Sequence, residues 1–148
     1  MIPEKAKIYK AAVKVDSEHF SVMEEGIRTL ERRIRPIVGT YSYIGSEAAE
    51  TEILGYVQTL VFTADRVEND PANDYLYSLA CAAGTDCETE VFVYCENDEG
   101  QAARSHIGRT YPAAIAVTKL SADEDTGYLG FGGTVYLNGT GRQEEKIL

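Results

Sequence analysis

Residues that could do chemistry are few and scattered in this sequence. His19 and His106 are the only histidines, and neither lies in an HExxH, HxH or Cys-His spacing. A metal or nucleophilic site would therefore have to be assembled from distant residues. The three cysteines, Cys81, Cys87 and Cys95, match neither a CxxC metal pair nor a disulfide framework. We predict no catalytic, cofactor-binding or metal site, and three reduced thiols that are mostly packing residues.

Two further patterns only superficially suggest ligand binding. The glycines of GYLGFGG, residues 127–133, lack the Lys-Ser/Thr that follows a phosphate-binding loop, and they lie inside a strand pattern. The adjacent carboxylates of Asp123–Asp125 lack the alternate spacing and the distant Glu of a calcium-binding EF-hand loop. We interpret the glycines as sites of close backbone approach or sheet curvature, and the acids as a solvated turn.

The charge of the chain is strongly negative and unevenly distributed. The sequence holds 14 Lys+Arg and 24 Asp+Glu, for a formal net charge of -10. Residues 1–35 hold eight of those bases and six of those acids, whereas residues 86–99 hold six acids and no base. Such a surface repels phosphate, so tight or sequence-reading nucleic-acid binding is not expected. The charge fits either ordinary solubility or a surface past which nucleic acid moves without being held.

Length and hydropathy indicate a single domain over residues 1–148, with residues 1–20 as an N-terminal arm or strand. A chain of this size buries about two-thirds of its unfolded surface, so it needs no metal or disulfide to hold a core. No run of eighteen apolar residues occurs, and the first five residues are not the start of a signal peptide. We expect neither membrane insertion by this chain nor Sec export.

The clearest local signal is a helix from about Pro71 to Ala83. Asp70 is a favourable N-cap, Pro71 suits the first helical position, and Gly84 is the expected C-terminal stop. Apolar residues recur at helical spacing between them. The core face of this helix is predicted to carry three residues: Tyr75, Leu76 and Leu79.

Most of the remaining sequence reads as strands. Residues 8–15, 56–64, 88–96, 111–119 and 128–137 are rich in β-branched or aromatic residues or alternate in polarity. In residues 88–96, Val91 and Val93 lie on an apolar face of the strand, whereas the opposite face is acidic and aromatic. Asn138-Gly139 predicts a hairpin turn, after which the tail could return as a last strand. The fold class is therefore α+β and β-rich, with one flanking helix.

Two segments between these elements are harder to assign. Met23, Ile27, Leu30 and Ile34 fall at helical spacing, but Gly26 and the following TYSYI run favour extended chain, so both readings stay open. Residues 41–53 centre on a small, acidic stretch without a periodic apolar face, which predicts a long exposed loop joining two strands.

The order of these features resembles the tail tube (major tail) proteins of long-tailed bacteriophages. The similarity runs from Gly26 to the C-terminus and is one of pattern, since no segment in it is a catalytic fingerprint. The segments that carry it are GIRTLERRI, YSYIGSEAAETEI, GYVQTLVFTADRV, NDPANDYLYSLACAAG, TEVFVY, AAIAVTKLSAD and FGGTVYLNGTG.

The resemblance implies a structural, non-enzymatic subunit with barrel-forming β-sandwich sheets, and it makes residues 22–35 extended. It implies hexameric rings stacked into a hollow tube of the virion tail, through which the genome passes into a bacterial host. The implied partners are further copies of the chain and the tape measure, tail terminator and tail-tip proteins, with DNA only in transit. A terminator or connector ring, a tail-like bacteriocin and a gene-transfer particle remain alternatives.

Two groups of residues follow as candidate functional residues of such a subunit. The loop is expected to cross to a neighbouring subunit or ring, and its candidate contact residues are Tyr41, Tyr43, Ile44, Glu47, Glu50, Glu52 and Ile53. The acids Glu88, Glu90 and Glu96 share one strand face. They would either line the bore, so that DNA is not held there, or face outward and aid solubility.

Overall fold

The computed structural model describes residues 9–45, 47–100, 104–122 and 127–148, with the backbone alone for residues 96–99. Asp123–Asp125 thus lies outside the described residues. In the described ranges, eight strands and one α-helix follow one another. They are β1 (Tyr9–Lys14), β2 (Phe20–Val22), β3 (Ile27–Tyr41), β4 (Glu50–Asp65), α1 (Pro71–Ser78), β5 (Glu88–Glu99), β6 (Ser105–Ala122), β7 (Leu129–Leu137) and β8 (Arg142–Ile147), with a 3-10 helix at Gly84–Cys87 before β5.

The strands form one antiparallel sheet in the order β2-β1-β5-β6-β7-β4-β3, with β8 also paired to β6. The long strand β6 has different partners along its length. Its first part pairs with β5 and β8, whereas its last part, from Ala113 to Ala122, pairs with β7. We call this last part, together with β7, β4 and β3, the four-stranded half-sheet. The expected α+β, β-rich fold is confirmed.

The core lies on the inner face of this sheet and under the helix. Phe62, Leu76, Val91, Ile115 and Val135 are all fully or almost fully buried in one cluster that draws on β4, α1, β5, β6 and β7. Alternation along each strand directs every second side chain into this cluster.

A second, smaller cluster lies on the opposite face. It holds Phe92 and Tyr94, whose rings stack at 5.4 Å, together with Ala12. Phe20 from β2 and Leu148 pack against it. This face of residues 88–96 thus carries the predicted aromatic side chains, but the rings are buried because β2 and the C-terminal residue cover them.

The helix starts as predicted and ends earlier. The Asp70 side chain accepts a hydrogen bond from the backbone N–H of Asn73 at 3.0 Å, which is an N-cap. The helix then stops at Ser78 rather than Ala83. Cys81 takes a φ of 65°, and Ala80 forms a bridge to Val117 of β6. This contact with the sheet ends the helix before Gly84 is reached.

The segment with helical spacing is extended. From Ile27 to Tyr41 it pairs with β4 along its whole length, from Ile27 opposite Ala64 to Tyr41 opposite Glu50. Gly26 starts this strand with a φ of 76°, and a Cβ there would lie 2.5 Å from the carbonyl oxygen of Asp65. A turn that only glycine fits thus precedes the strand and excludes a helix through this position.

The tail returns as a strand but not as a hairpin with β7. Asn138 donates its backbone N–H to the Pro112 oxygen at 2.8 Å. The chain then continues along β6, with Arg142 opposite Thr110 and Ile147 opposite Ser105. β7 and β8 are therefore successive segments beside the same strand, because β6 offers enough edge for both.

Candidate assembly surfaces

The most unusual surface is the outer part of the β3–β4 hairpin. β7 pairs with β4 only from Gln58 to Asp65. Residues 35–57, which we call the arm, lie beyond that point. Among the described residues of the arm, the two strands pair only with each other. The arm therefore extends past the sheet as a two-stranded ribbon.

The arm is apolar and exposed. Ile44 is 108% exposed relative to a reference residue, and Leu54 is 64% exposed. The other large apolar side chains exposed in the arm are Ile37, Val38, Tyr41, Tyr43, Ile53 and Tyr56. Isolated exposed apolar residues are ordinary, but a contiguous set on one projection is typical of an interaction surface.

The expected loop of residues 41–53 is shorter in the structure. Tyr41 is the last residue of β3, and Glu50, Glu52 and Ile53 belong to β4. Only residues 42–49 connect the strands, and this connection holds Tyr43, Ile44 and Glu47. The predicted loop does join two strands and its described residues are exposed, but its predicted bounds of 41–53 are too wide because cross-strand pairs extend close to the tip.

Local contacts order the tip of the arm. The Tyr41 hydroxyl donates to Oε2 of Glu50 at 3.1 Å, and the rings of Tyr41 and Tyr43 meet edge to face at 5.4 Å. Glu47, Glu50 and Glu52 are all exposed. The tip therefore presents aromatic, aliphatic and carboxylate groups together.

The four-stranded half-sheet has two strand edges that no described strand pairs. One is the edge of β3 that faces away from β4. The other is the edge of β6 beyond Ala114, where its pairing with β5 ends. Among the described residues, the isolated bridge from Ala80 to Val117 is the sole backbone pairing along that edge. Long unpaired edges template pairing with another strand.

The acidic residues of β5 have different environments. Glu88 is exposed. Glu90 is half-buried and lies between two cations, 3.5 Å from Nζ of Lys14 and 3.3 Å from a guanidinium nitrogen of Arg142. The side chain of Glu96 lies outside the described residues. The charge of Glu90 is thus largely balanced by its neighbours, which its position in the sequence did not indicate.

The predicted core face of the helix contacts the main cluster. Leu76 is fully buried, Leu79 is 5% exposed and Tyr75 is half-buried against the same cluster. These residues are structural, and they hold α1 on the inner face of the sheet.

The carboxylate of Glu144, in the last strand β8, has several polar partners. Glu144 accepts hydrogen bonds from Thr110 at 2.9 Å and from Arg142 at 3.1 Å, and it lies 2.9 Å from Nζ of Lys146. The hydrogen bond from Lys146, followed by that from Thr110, lowers the pKa of Glu144 below its ordinary value, against an opposing effect of burial. Lys146 and Arg142 lie on β8 itself, so the hydrogen bond from Thr110 of β6 is the contact by which this side chain joins β8 to the neighbouring strand.

Groups suited to catalysis or metal binding do not converge in the described residues. No cluster of three or more His, Cys, Asp or Glu side chains that could hold a metal ion occurs there. His19 contacts Asp16 at 2.9 Å on the surface, and His106 lies against the Tyr94 ring at 4.6 Å. Of the three free cysteines, Cys95 is buried and Cys81 is exposed. The expectation that the cysteines mostly pack thus holds only for Cys95.

Within the part of the chain that the structure describes, no helix has the length and apolar character needed to cross a membrane.

Sequence reasoning missed two features of these surfaces. It did not identify the adjacent apolar pairs Ile37-Val38 and Ile53-Leu54 of the arm, although such pairs break the alternation of a strand with one buried face. It also missed the unpaired edge of β6, for which the sequence carries no signal because pairing partners are distant in the chain.

Comparison with known proteins gives a likeness in structure alone. Neither models of known protein families nor curated protein sequences match the chain. Among solved structures, the chain is similar to a subunit in the tail of an empty GTA (gene transfer agent) particle. The structure of that tail was computed with helical refinement and C6 symmetry. The TM-score is 0.61 at 14% identity, over 97% of this chain and 99% of that one. This likeness establishes a shared fold from end to end.

Proposed function

We propose that this protein is the structural subunit of a tail tube, in a phage virion or a related tail-like particle, and that it assembles into stacked hexameric rings. The observation that carries the proposal is the end-to-end match to a chain in a C6-symmetric tail. At 14% identity the match supports a common architecture, and the role has to be argued from surfaces of this chain.

The four-stranded half-sheet supports ring closure. Neighbouring strands in it are antiparallel at every step, so β3 and the last part of β6 run in opposite directions at its two edges. If β6 of one copy lies beside β3 of the next, the antiparallel alternation continues without a break. Repetition of that contact would close a barrel and leave no exposed edge in it.

The arm supports contacts between copies. A two-stranded ribbon with exposed apolar side chains is only marginally stable in water, and it gains stability when another surface covers those side chains. None of the described apolar side chains of the arm belongs to either core cluster of its own chain. We therefore assign the arm to contacts with another copy, in the same ring or the next.

The acidic composition supports a conduit that does not hold DNA. A net charge of -10 disfavours the release of counterions that drives nucleic-acid binding. In this proposal DNA is present in transit, and the tape measure, tail terminator and tail-tip proteins are further partners. The protein acts by assembly rather than by catalysis.

Electron microscopy of the purified protein tests the proposal. Negatively stained samples over a range of salt and protein concentrations should show six-fold rings or stacked tubes, with or without an added tail-tip complex. Single rings that never stack would favour a terminator or connector. A protein that stays monomeric under all these conditions, tail-tip complex included, would contradict the proposal.

A further inference from the structure

A groove of about 290 Å³ opens at the margin of the main core, close to the base of the arm. Arg32 of β3 and Arg109 of β6 line it, together with apolar surface from Tyr9, Val93 and Ile107. Two arginines in one groove are notable in a chain with ten more acids than bases. The groove thus combines positive charge with an apolar wall.

The guanidinium of Arg32 is not fully satisfied. One terminal nitrogen donates to Oε1 of Gln58 and to the Tyr111 hydroxyl, the latter at 3.4 Å. Its Nε is buried and has no hydrogen-bond partner among the described residues. A buried N–H without an acceptor is costly, and a carboxylate is the acceptor that an arginine binds most strongly. The buried Nε itself is closed to an outside group, but the two arginines that line the groove, Arg32 and Arg109, suit it to an acidic group from outside.

The tip of the arm has the matching chemistry. Glu47, Glu50 and Glu52 are exposed there beside Tyr43 and Ile44, which are 68% and 108% exposed. The sequence has no Lys or Arg between residues 36 and 65. The tip thus offers carboxylates and apolar groups to a groove that offers arginines and apolar groups.

The tip cannot reach the groove of its own chain. Arg32 and Tyr41 lie on the same paired strand, β3. At about 3.3 Å per residue, the nine steps between them amount to roughly 30 Å. Folding the tip back would require the arm to separate from its own pairing. An arm tip that occupies the groove would therefore come from a second copy.

We propose that the arm tip of one copy docks in the Arg32–Arg109 groove of another. Carboxylates of Glu47, Glu50 or Glu52 pair with the arginines, and Tyr43 and Ile44 cover the apolar wall. This inference rests on the proposed self-assembly and names the surface that receives the arm.

Charge reversal tests this pairing. One variant changes the tip, with Glu47→Arg, Glu50→Arg and Glu52→Arg, and a second changes the groove, with Arg109→Glu. Each alone should raise the concentration needed for assembly at least about tenfold, because each places like charges together. A chain that carries all four changes should assemble at a lower concentration than either of these variants, because Arg109→Glu then attracts the new tip cations even though Arg32 still repels them. Glu18→Arg with Glu68→Arg reverses exposed charges outside the arm and should have little effect.

A cross-link gives a readout that does not depend on tube formation. Ile44→Cys and Ile107→Cys are introduced together in a chain with Cys81→Ser, Cys87→Ser and Cys95→Ala, because Cys95 also lines the groove and would otherwise offer a second thiol there. Mild oxidation should produce a ladder of linked chains, and neither single cysteine variant should do so.

The outcomes separate the two proposals. If the wild type assembles but neither reversal affects it, or the combined variant is not rescued, the groove is not the receiving surface and the tube proposal still stands. If the wild type never assembles, the tube proposal itself fails. A rescued combined variant together with the cross-linked ladder supports both.

Discussion

The same two strands, β3 and β4, behave differently in their two halves. In the body of the protein, by which we mean the described residues outside the arm, β4 also pairs with β7. Leu60 and Phe62 of β4 are 2% and 0% exposed there, in the core beneath α1. In the arm, Ile53 and Tyr56 of the same strand are 58% and 59% exposed. Backbone pairing continues through both halves, but only the first half has a third strand and a helix. Pairing thus builds the ribbon, whereas burial requires a further layer.

This contrast divides the molecule into a part whose apolar side chains are buried within the chain and an arm whose apolar side chains, on the proposed assembly, would be buried by another copy. Apolar area removed from water contributes about 25 cal/mol per Å². The body obtains that contribution on folding, whereas the arm would obtain it only in the proposed assembly. Changes in the two parts should therefore affect different measurements.

Shortening the arm should have the largest effect, and it should affect assembly alone. Replacing residues 42–49 with Asn-Gly joins Tyr41 to Glu50 through a tight turn. We expect circular dichroism and the urea midpoint of the monomer to stay close to wild type, while rings and tubes disappear from electron micrographs. Tubes of normal appearance would show that the arm tip is not a contact surface.

A core change in the helix should affect stability instead. Leu76 is fully buried, so Leu76→Ala should lower the free energy of unfolding by about 2–5 kcal/mol. Ile44→Ala, at the fully exposed tip, is the matched control and should leave that free energy within about 0.5 kcal/mol of wild type. Equal effects of the two changes would remove the distinction between body and arm.

A charge change on the body tests whether its acids line the bore. Glu88 is exposed, so Glu88→Lys should leave folding and assembly intact. If Glu88 faces the lumen, six-fold repetition of the new cation should slow genome ejection from particles built with this subunit, and high salt should relieve the defect. Unchanged ejection kinetics would place this face outside the bore.

Glu90, which lies on the same strand as Glu88, needs a different substitution. Glu90→Lys would put a third cation beside Lys14 and Arg142 and so disturb the body itself. Glu90→Gln, which removes its charge without adding a cation, is the better control.

The smallest expected effect concerns pH and the attachment of β8. The folded pKa of Glu144 is lowered, so its carboxylate stabilises the fold above the unfolded pKa of the group, and this contribution is lost as the pH falls through the folded pKa. Urea midpoints measured from neutral to acidic pH should therefore fall less for Glu144→Gln than for wild type. Identical pH dependence of the two proteins would show that the ionised Glu144 side chain does not stabilise the fold.

Local sequence determined several features of this fold. The Asp70-Pro71 start of the helix, the burial of Leu76 and the inward residues of β7 follow from capping chemistry and from side-chain periodicity, which act over a few residues. The scarcity of catalytic constellations and the negative charge are likewise properties of the composition. These features need no knowledge of what lies next to each segment.

Tertiary structure decided the rest, since each remaining feature depends on a partner that is distant in the chain. The helix ends at Ser78 because the following residues meet β6, and Ile27–Ile34 is extended because β4 pairs with it despite helical spacing. Phe92 is buried because β2 and the C-terminal residue cover it. The arm is exposed because β7 stops pairing at Gln58. Local periodicity specifies which side chains share a face, but only the neighbouring strands and helix determine whether that face is covered.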